Sequence, residues 1–235
     1  LYPQAQRDTD TPDLGCHYDP LDYVVNGVTL NTALTLSNGV AIGVAGSAGF
    51  YPGNGGQIYS TGLAQAMNRI ASCQNVQERA QSGGSTFMGN YVGLSTDYNR
   101  NYQFSFTDFS LGQGSAGTFL DMGYGPAPFS IIVLRNCRLR GVNLTVYFYN
   151  NYMYPSISLI NNLIIRGRTT IYYQSNSANY YPSFYGYNNT FQGGMFYLAQ
   201  ITGGRSVGPW NLNNNLFDGT AIYVSSDNVG FSSGL

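Results

Sequence analysis

The residues of this chain that could do chemistry are few and unevenly placed. Five of its eleven acids fall within fifteen residues near the start: Asp8, Asp10, Asp13, Asp19 and Asp22. The run Asp8-Thr-Asp10-Thr-Pro-Asp13-Leu-Gly15 carries the Asp-x-Asp spacing with which hard carboxylate oxygens surround calcium. It lacks the bidentate Glu and the correctly offset glycine of a complete calcium loop. Asp8, Asp10 and Asp13 are therefore either candidate ligands of a structural Ca²⁺ or part of a solvated linker whose Asp and Pro favour turns. Across residues 105–235 the acids are Asp108, Asp121, Asp218 and Asp227, with no two at one repeat position, so paired-carboxylate acid–base work has no visible basis. His17 has no Cys or Ser partner at a supporting spacing. The odd set Cys16, Cys73 and Cys137 gives neither a disulfide framework nor a zinc pattern, leaving one disulfide plus a thiol, or three buried thiols. No catalytic residue is assigned, and no cofactor is expected beyond a structural calcium.

The elements that would hold these residues follow from composition. The chain has 235 residues, ten Arg, no Lys and a formal net charge of −1. Charged residues make up 9%, against about 25% in an average protein. With 43% apolar and 15% aromatic residues it is not a solvated coil. The surplus lies in Gly (30), Tyr (21) and Asn (24), which are residues of turns and sheets rather than of helices. Ten scattered arginines do not make the basic patch a nucleic acid requires. No run of about 18 apolar residues is present, so no membrane-spanning helix is expected. The start at Leu1, without an initiator Met, fits a removed targeting segment or a piece of a longer protein.

A repeat then sets the fold. Four segments fit Asn-x-x-φ-x-Gly, where φ is apolar, anchored at Asn136, Asn162, Asn188 and Asn214, so every interval is 26 residues. Pro128, Pro155, Pro182 and Pro209 precede the anchors, as prolines do at a corner before a strand. A period of about 26 residues with short strands is one coil of a parallel β-helix. Stacked coils would set Asn136, Asn162, Asn188 and Asn214 in one side-chain amide ladder, or simply use Asn for its tolerance of tight turns. They would set Leu139, Ile165, Phe191 and Phe217 in one core column. Arg140, Arg166, Gln192 and Asp218 form a further column, read as solvent-facing.

Residues 128–228 resemble the right-handed parallel β-helix superfamily, the pectate-lyase-like solenoids of secreted and surface bacterial proteins. Gly15-Cys-His-Tyr-Asp-Pro-Leu-Asp-Tyr23 is similar to repeat regions of very large secreted bacterial proteins. The resemblance implies an extracellular or cell-surface bacterial setting and admits a polysaccharide partner. Its enzymes use clustered Asp, for calcium or for acid–base work, and this chain lacks such clusters outside its start.

The expected fold is thus all-β, a right-handed parallel β-helix over 25–235 with roughly eight coils, preceded by an Asp-rich segment or cap over 1–24. Residues 43–56 read as a glycine loop, and 63–80 as short strands in preference to an amphipathic helix. Tyr152, Tyr154, Tyr180 and Tyr181 fall in corner loops, where stacked rings either seal the corner or offer a surface to a protein or a glycan. The expected function is a structural or interaction solenoid that self-associates head to tail or laterally. A carbohydrate-active or carbohydrate-binding β-helix is the alternative.

Overall fold

The computed structural model describes residues 21–76, 85–89, 101–111, 118–122, 131–149, 156–174, 183–201 and 210–226. One representative turn runs Ile131–Arg135, Arg138–Arg140, Asn143–Tyr149 and then out to the next turn. Repetition of this path builds three sheets in which every strand pairing is parallel. Sheet 1 holds the short strands, from Tyr23–Val25 through Thr107–Ser110, Arg138–Arg140, Leu163–Ile165 and Thr190–Gln192 to Leu216–Asp218. Sheet 2 runs from Val28–Leu30 to Ala221–Ser226, and sheet 3 from Ala33–Leu36 to Trp210–Asn213. The sheets have eight, eight and seven strands. The chain is a parallel β-solenoid.

The period near 26 residues holds over about five turns rather than the roughly eight expected. Along sheet 1, Phe109, Leu139, Ile164, Phe191 and Phe217 stand in register, at steps of 30, 25, 27 and 26 residues. Ahead of them the sheet continues through Tyr23, Ile42 and Ile70, with steps of 19, 28 and 39 residues. Backbone pairing tolerates these unequal steps because the extra residues leave at corners.

One local expectation changes, and two details are added. Residues 43–56 are not one loop, because Ala48–Pro52 is a strand of sheet 2 paired to Val28–Leu30. Ala33–Leu36 and Ala41–Val44 lie in different sheets, and Asn38-Gly39 turns the corner between them (Gly39 φ 78°). Within 63–80, Asn68–Ser72 is a strand, and a single four-residue helical turn follows at Cys73–Val76.

The core is a stack of like positions. Ile132, Ile157 and Phe184 on sheet 3 face Leu144, Phe196 and Leu198 on sheet 2, all buried. Stacking lets aromatic rings meet across one strand spacing: Phe191 and Phe217 lie 4.8 Å apart at 7°. Fully burying one such ring contributes roughly 1.5–3 kcal/mol.

Candidate functional site

The corner between sheets 3 and 1 is built from two neighbouring columns. In the outer one, Phe106, Asn136, Asn161, Asn188 and Asn214 all adopt left-handed backbone, with φ between 47° and 55°. Asn suits this region because its short amide bonds locally. In the inner column, Asn68, Thr107, Cys137, Asn162, Asn189 and Asn215 succeed one another in register. Four of the six are buried polar side chains, and the column carries the hydrogen-bond ladder.

The ladder has one repeated geometry. Asn162 Nδ2 donates to Asn189 Oδ1 (2.9 Å) and to Leu134 O (2.9 Å), while Asn162 Oδ1 accepts from Cys137 N (2.9 Å). Asn189 Oδ1 also accepts from Asn162 N (3.0 Å), and Asn189 Nδ2 donates to Leu159 O (2.8 Å) and Asn215 Oδ1 (2.9 Å). Asn189 thereby uses two donors and two acceptor sites, the full capacity of a buried amide. Asn68 repeats the motif earlier, donating to Leu36 O (3.1 Å) and Ser60 Oγ (2.9 Å) and accepting from Val40 N (3.1 Å).

The expected ladder of Asn136, Asn162, Asn188 and Asn214 is therefore corrected. Asn136, Asn188 and Asn214 share the outer column with Asn161, whereas Asn162 belongs to the inner one with Asn189 and Asn215. The equal 26-residue spacing concealed two unequal steps of 25 and 27, and the doubled Asn161-Asn162 supplied an anchor in either frame. Ile165 falls by the same slip: the core column is Leu139, Ile164, Phe191 and Phe217, and Ile165 stands beside Arg140, Gln192 and Asp218. The doubled asparagines at 188–189 and 214–215 were the signal that could have found the inner column.

The same slip places Arg166 in a second corner column, with Gly141, Gly193 and Gly219. All four have φ between 51° and 63°, which only glycine adopts without cost. On the outer face of sheet 1, Asp108 lies in register between Arg69 and Arg138. Arg140 grips it with two bonds, Nε at 3.2 Å and Nη2 at 2.5 Å, while Arg138 stays at 4.0 Å. Beside this face runs a groove of about 560 Å³, lined by Met67, Phe106, Asn136, Arg138, Asn161 and Asn188 among others.

Cys73 and Cys137 are buried free thiols. Burial pushes the Cys73 thiol up to about 11 and the Cys137 thiol up to about 12, so neither is a nucleophile at neutral pH. Asp8, Asp10, Asp13, Cys16, Tyr152, Tyr154, Tyr180 and Tyr181 lie outside the described residues. Among the described residues no three His, Cys, Asp or Glu converge on one point, and no helix is long and apolar enough to cross a membrane.

Among the described residues, the stack has exposed apolar side chains at both ends. Ile222 and Val224 are in register with Phe196 and Leu198 and so face the interior. Yet they are 48% and 54% exposed, against 1% for each partner. At the opposite end Tyr23 and Val28 occupy interior positions above Ile42 and Phe50 and are also exposed. Among the described residues, each terminal strand has a neighbour on one side only.

Fold and corners together define a parallel β-solenoid with an internal asparagine ladder. Compared with known proteins, the chain matches no family model, no curated protein and no solved structure.

Proposed function

We propose that this chain is a non-enzymatic structural and interaction rod of the bacterial cell surface or exterior, whose copies associate head to tail. The observation that carries the reading is the open last rung. An edge strand with unpaired N–H and C=O groups is a template for another strand, and here three such edges surround exposed apolar side chains. The first rung offers the matching form: three edge strands of the same three sheets, around Tyr23, Val28 and Leu34. The resemblance of residues 128–228 to right-handed pectate-lyase-like solenoids supports the extracellular setting.

Sedimentation of the full chain across concentration tests this. The wild type is expected to form a concentration-dependent series of species, and Val224→Asp to remain monomeric, since a charge on the edge blocks pairing. A monodisperse wild type at every concentration would contradict the reading.

A second reading, a carbohydrate-binding or carbohydrate-active β-helix, draws on the groove beside Asn136, Arg138 and Asn161. A polysaccharide binding and turnover screen with and without Ca²⁺ separates the two. Turnover abolished by a single Asp→Ala change would sink the structural reading.

A further inference from the structure

Side chains alternate across each strand of sheet 3, so one set is buried in the core and the other forms an outer face. The seven strands present nineteen outward positions, of which Arg135 alone is charged. The middle column of this face runs from Thr35 and Tyr59 through Val133 and Ser158 to Tyr185 and Asn211. Beside it stand Ile131, which is 37% exposed, and Tyr187, whose ring stacks on Tyr185 at 6.2 Å. The outer face of sheet 1 differs, since it carries Arg69, Asp108, Arg138, Arg140 and Asp218. The ladders of sheet 3 also run without a shift, whereas sheet 2 slips between Thr118 and Leu120. A regular face with aromatic rings and almost no charge has the composition of an interface core.

Size decides what such a face can hold. Seven strands at about 4.8 Å and five residues at about 3.3 Å give roughly 34 by 16 Å, or about 540 Å² per copy. Two such faces bury about 1,100 Å² in all, below the 1,200–2,000 Å² of a stable standard interface. A lone pair is thus marginal, but copies joined end to end multiply the area by their number. Charge then decides the direction of pairing. A two-fold axis across the rod lays each column on itself. Arg135 stands on the fourth of the seven strands, so that axis would set Arg135 against Arg135. A two-fold axis along the rod lays the Arg135 column over the column of Ile131 and Ser156 instead.

We propose that two copies pair side by side through the outer face of sheet 3, pointing the same way, so that rods form in twos. This rests on the head-to-tail reading, which supplies the length that makes the pairing hold, and it names a second contact between copies. The middle column meets its own copy across the axis, Gln103 opposite Gln103 and Ser158 opposite Ser158.

The test is imaging of the full chain, reading mass per unit length and rod direction, for wild type, Gln103→Glu, Ser158→Glu and Thr145→Glu. Gln103→Glu is isosteric at an exposed position, and thermal unfolding of the same samples checks that every variant is folded. Wild type is expected to show two chains per subunit repeat of about 38 Å. Gln103→Glu and Ser158→Glu each set like charges face to face, so the share of paired rods should fall about tenfold or more, leaving single rods. Thr145→Glu puts the same charge on the outer face of sheet 2 and should leave the pairs intact. Wild-type rods with one chain per repeat overturn the pairing and leave the head-to-tail reading standing. Single rods that co-sediment with cellulose or chitin powder, and lose this in Gln103→Glu, assign the face to a glycan and overturn the second copy. Paired rods unchanged in both sheet 3 variants, or pointing in opposite directions, overturn it as well. Wild-type dimers that never lengthen but are lost in Gln103→Glu uphold the face and overturn the head-to-tail reading. A wild type that stays monomeric at every concentration overturns both.

Discussion

Asn162 and Asn189 each bind three successive turns, and this makes them unequal to the asparagines beside them. Removing the Asn162 amide strands Cys137 N and Leu134 O in a buried corner and takes from Asn189 Oδ1 one of its two donors, and each unmet buried group costs about 1–3 kcal/mol. Asn162→Leu is expected to lower stability by about 3 kcal/mol in urea unfolding, whereas Asn136→Leu costs about 1 kcal/mol, chiefly from its left-handed backbone. Equal losses would remove the ladder from the account. Arg166→Gly should go the other way and stabilise by up to about 1 kcal/mol: relief of left-handed strain is partly offset by the freer unfolded chain. The buried thiols set a pH dependence whose sign is fixed. Both hold their protons more tightly when folded than at the ordinary 9.0, so their stabilisation is complete below pH 9 and is lost as pH rises towards about 11 and 12. Between pH 9 and 11, wild-type stability should therefore fall more steeply than that of the Cys73→Ala, Cys137→Ala double variant.

At the scale of elements, corners carry the specificity and strands only fill the intervals. Strand spacing brings Gly167 against the turn before it: a Cβ there would lie 2.4 Å from Val142 O, a backbone atom that cannot swing aside. Gly167→Ala is expected to cost about 2 kcal/mol or more, measured as a lowered Tm, although Gly167 has ordinary backbone angles. The corners also explain what was legible in the sequence. The Asn-x-x-φ-x-Gly repeat was visible because a corner needs one residue tolerant of left-handed backbone and a second that is nearly always glycine. Parallel stacking and three of the four core residues, Leu139, Phe191 and Phe217, follow from it. The turn holding Asn161, Asn162 and Arg166 was misread by one position, because a β-strand changes face with each residue while a 26-residue count is indifferent to face. Ahead of residue 101 the corners vary in length. Gly62–Met67 takes six residues where Phe106 takes one, so no fixed spacing survived there to be read. The ladder was expected but set on the wrong member of two asparagine pairs for a chemical reason: burial, which no spacing reports, decides which of two adjacent asparagines works.

At the scale of the whole molecule, the described residues form a stack whose first and last strands each have a neighbour on one side only. Nothing in a parallel solenoid limits its length except how the last rung is treated, and the last described rung here exposes Ile222 and Val224 where the interior should be. The proposed head-to-tail association would cover that exposure. The most direct measurement is the axial repeat of the associated species, by imaging or by diffraction from aligned rods. Eight strands per copy in sheet 1 at about 4.8 Å give a subunit repeat of about 38 Å in rods of constant width, with the strand spacing along the rod axis. Particles that widen instead of lengthening, or a lone monomer at every concentration, would contradict the account.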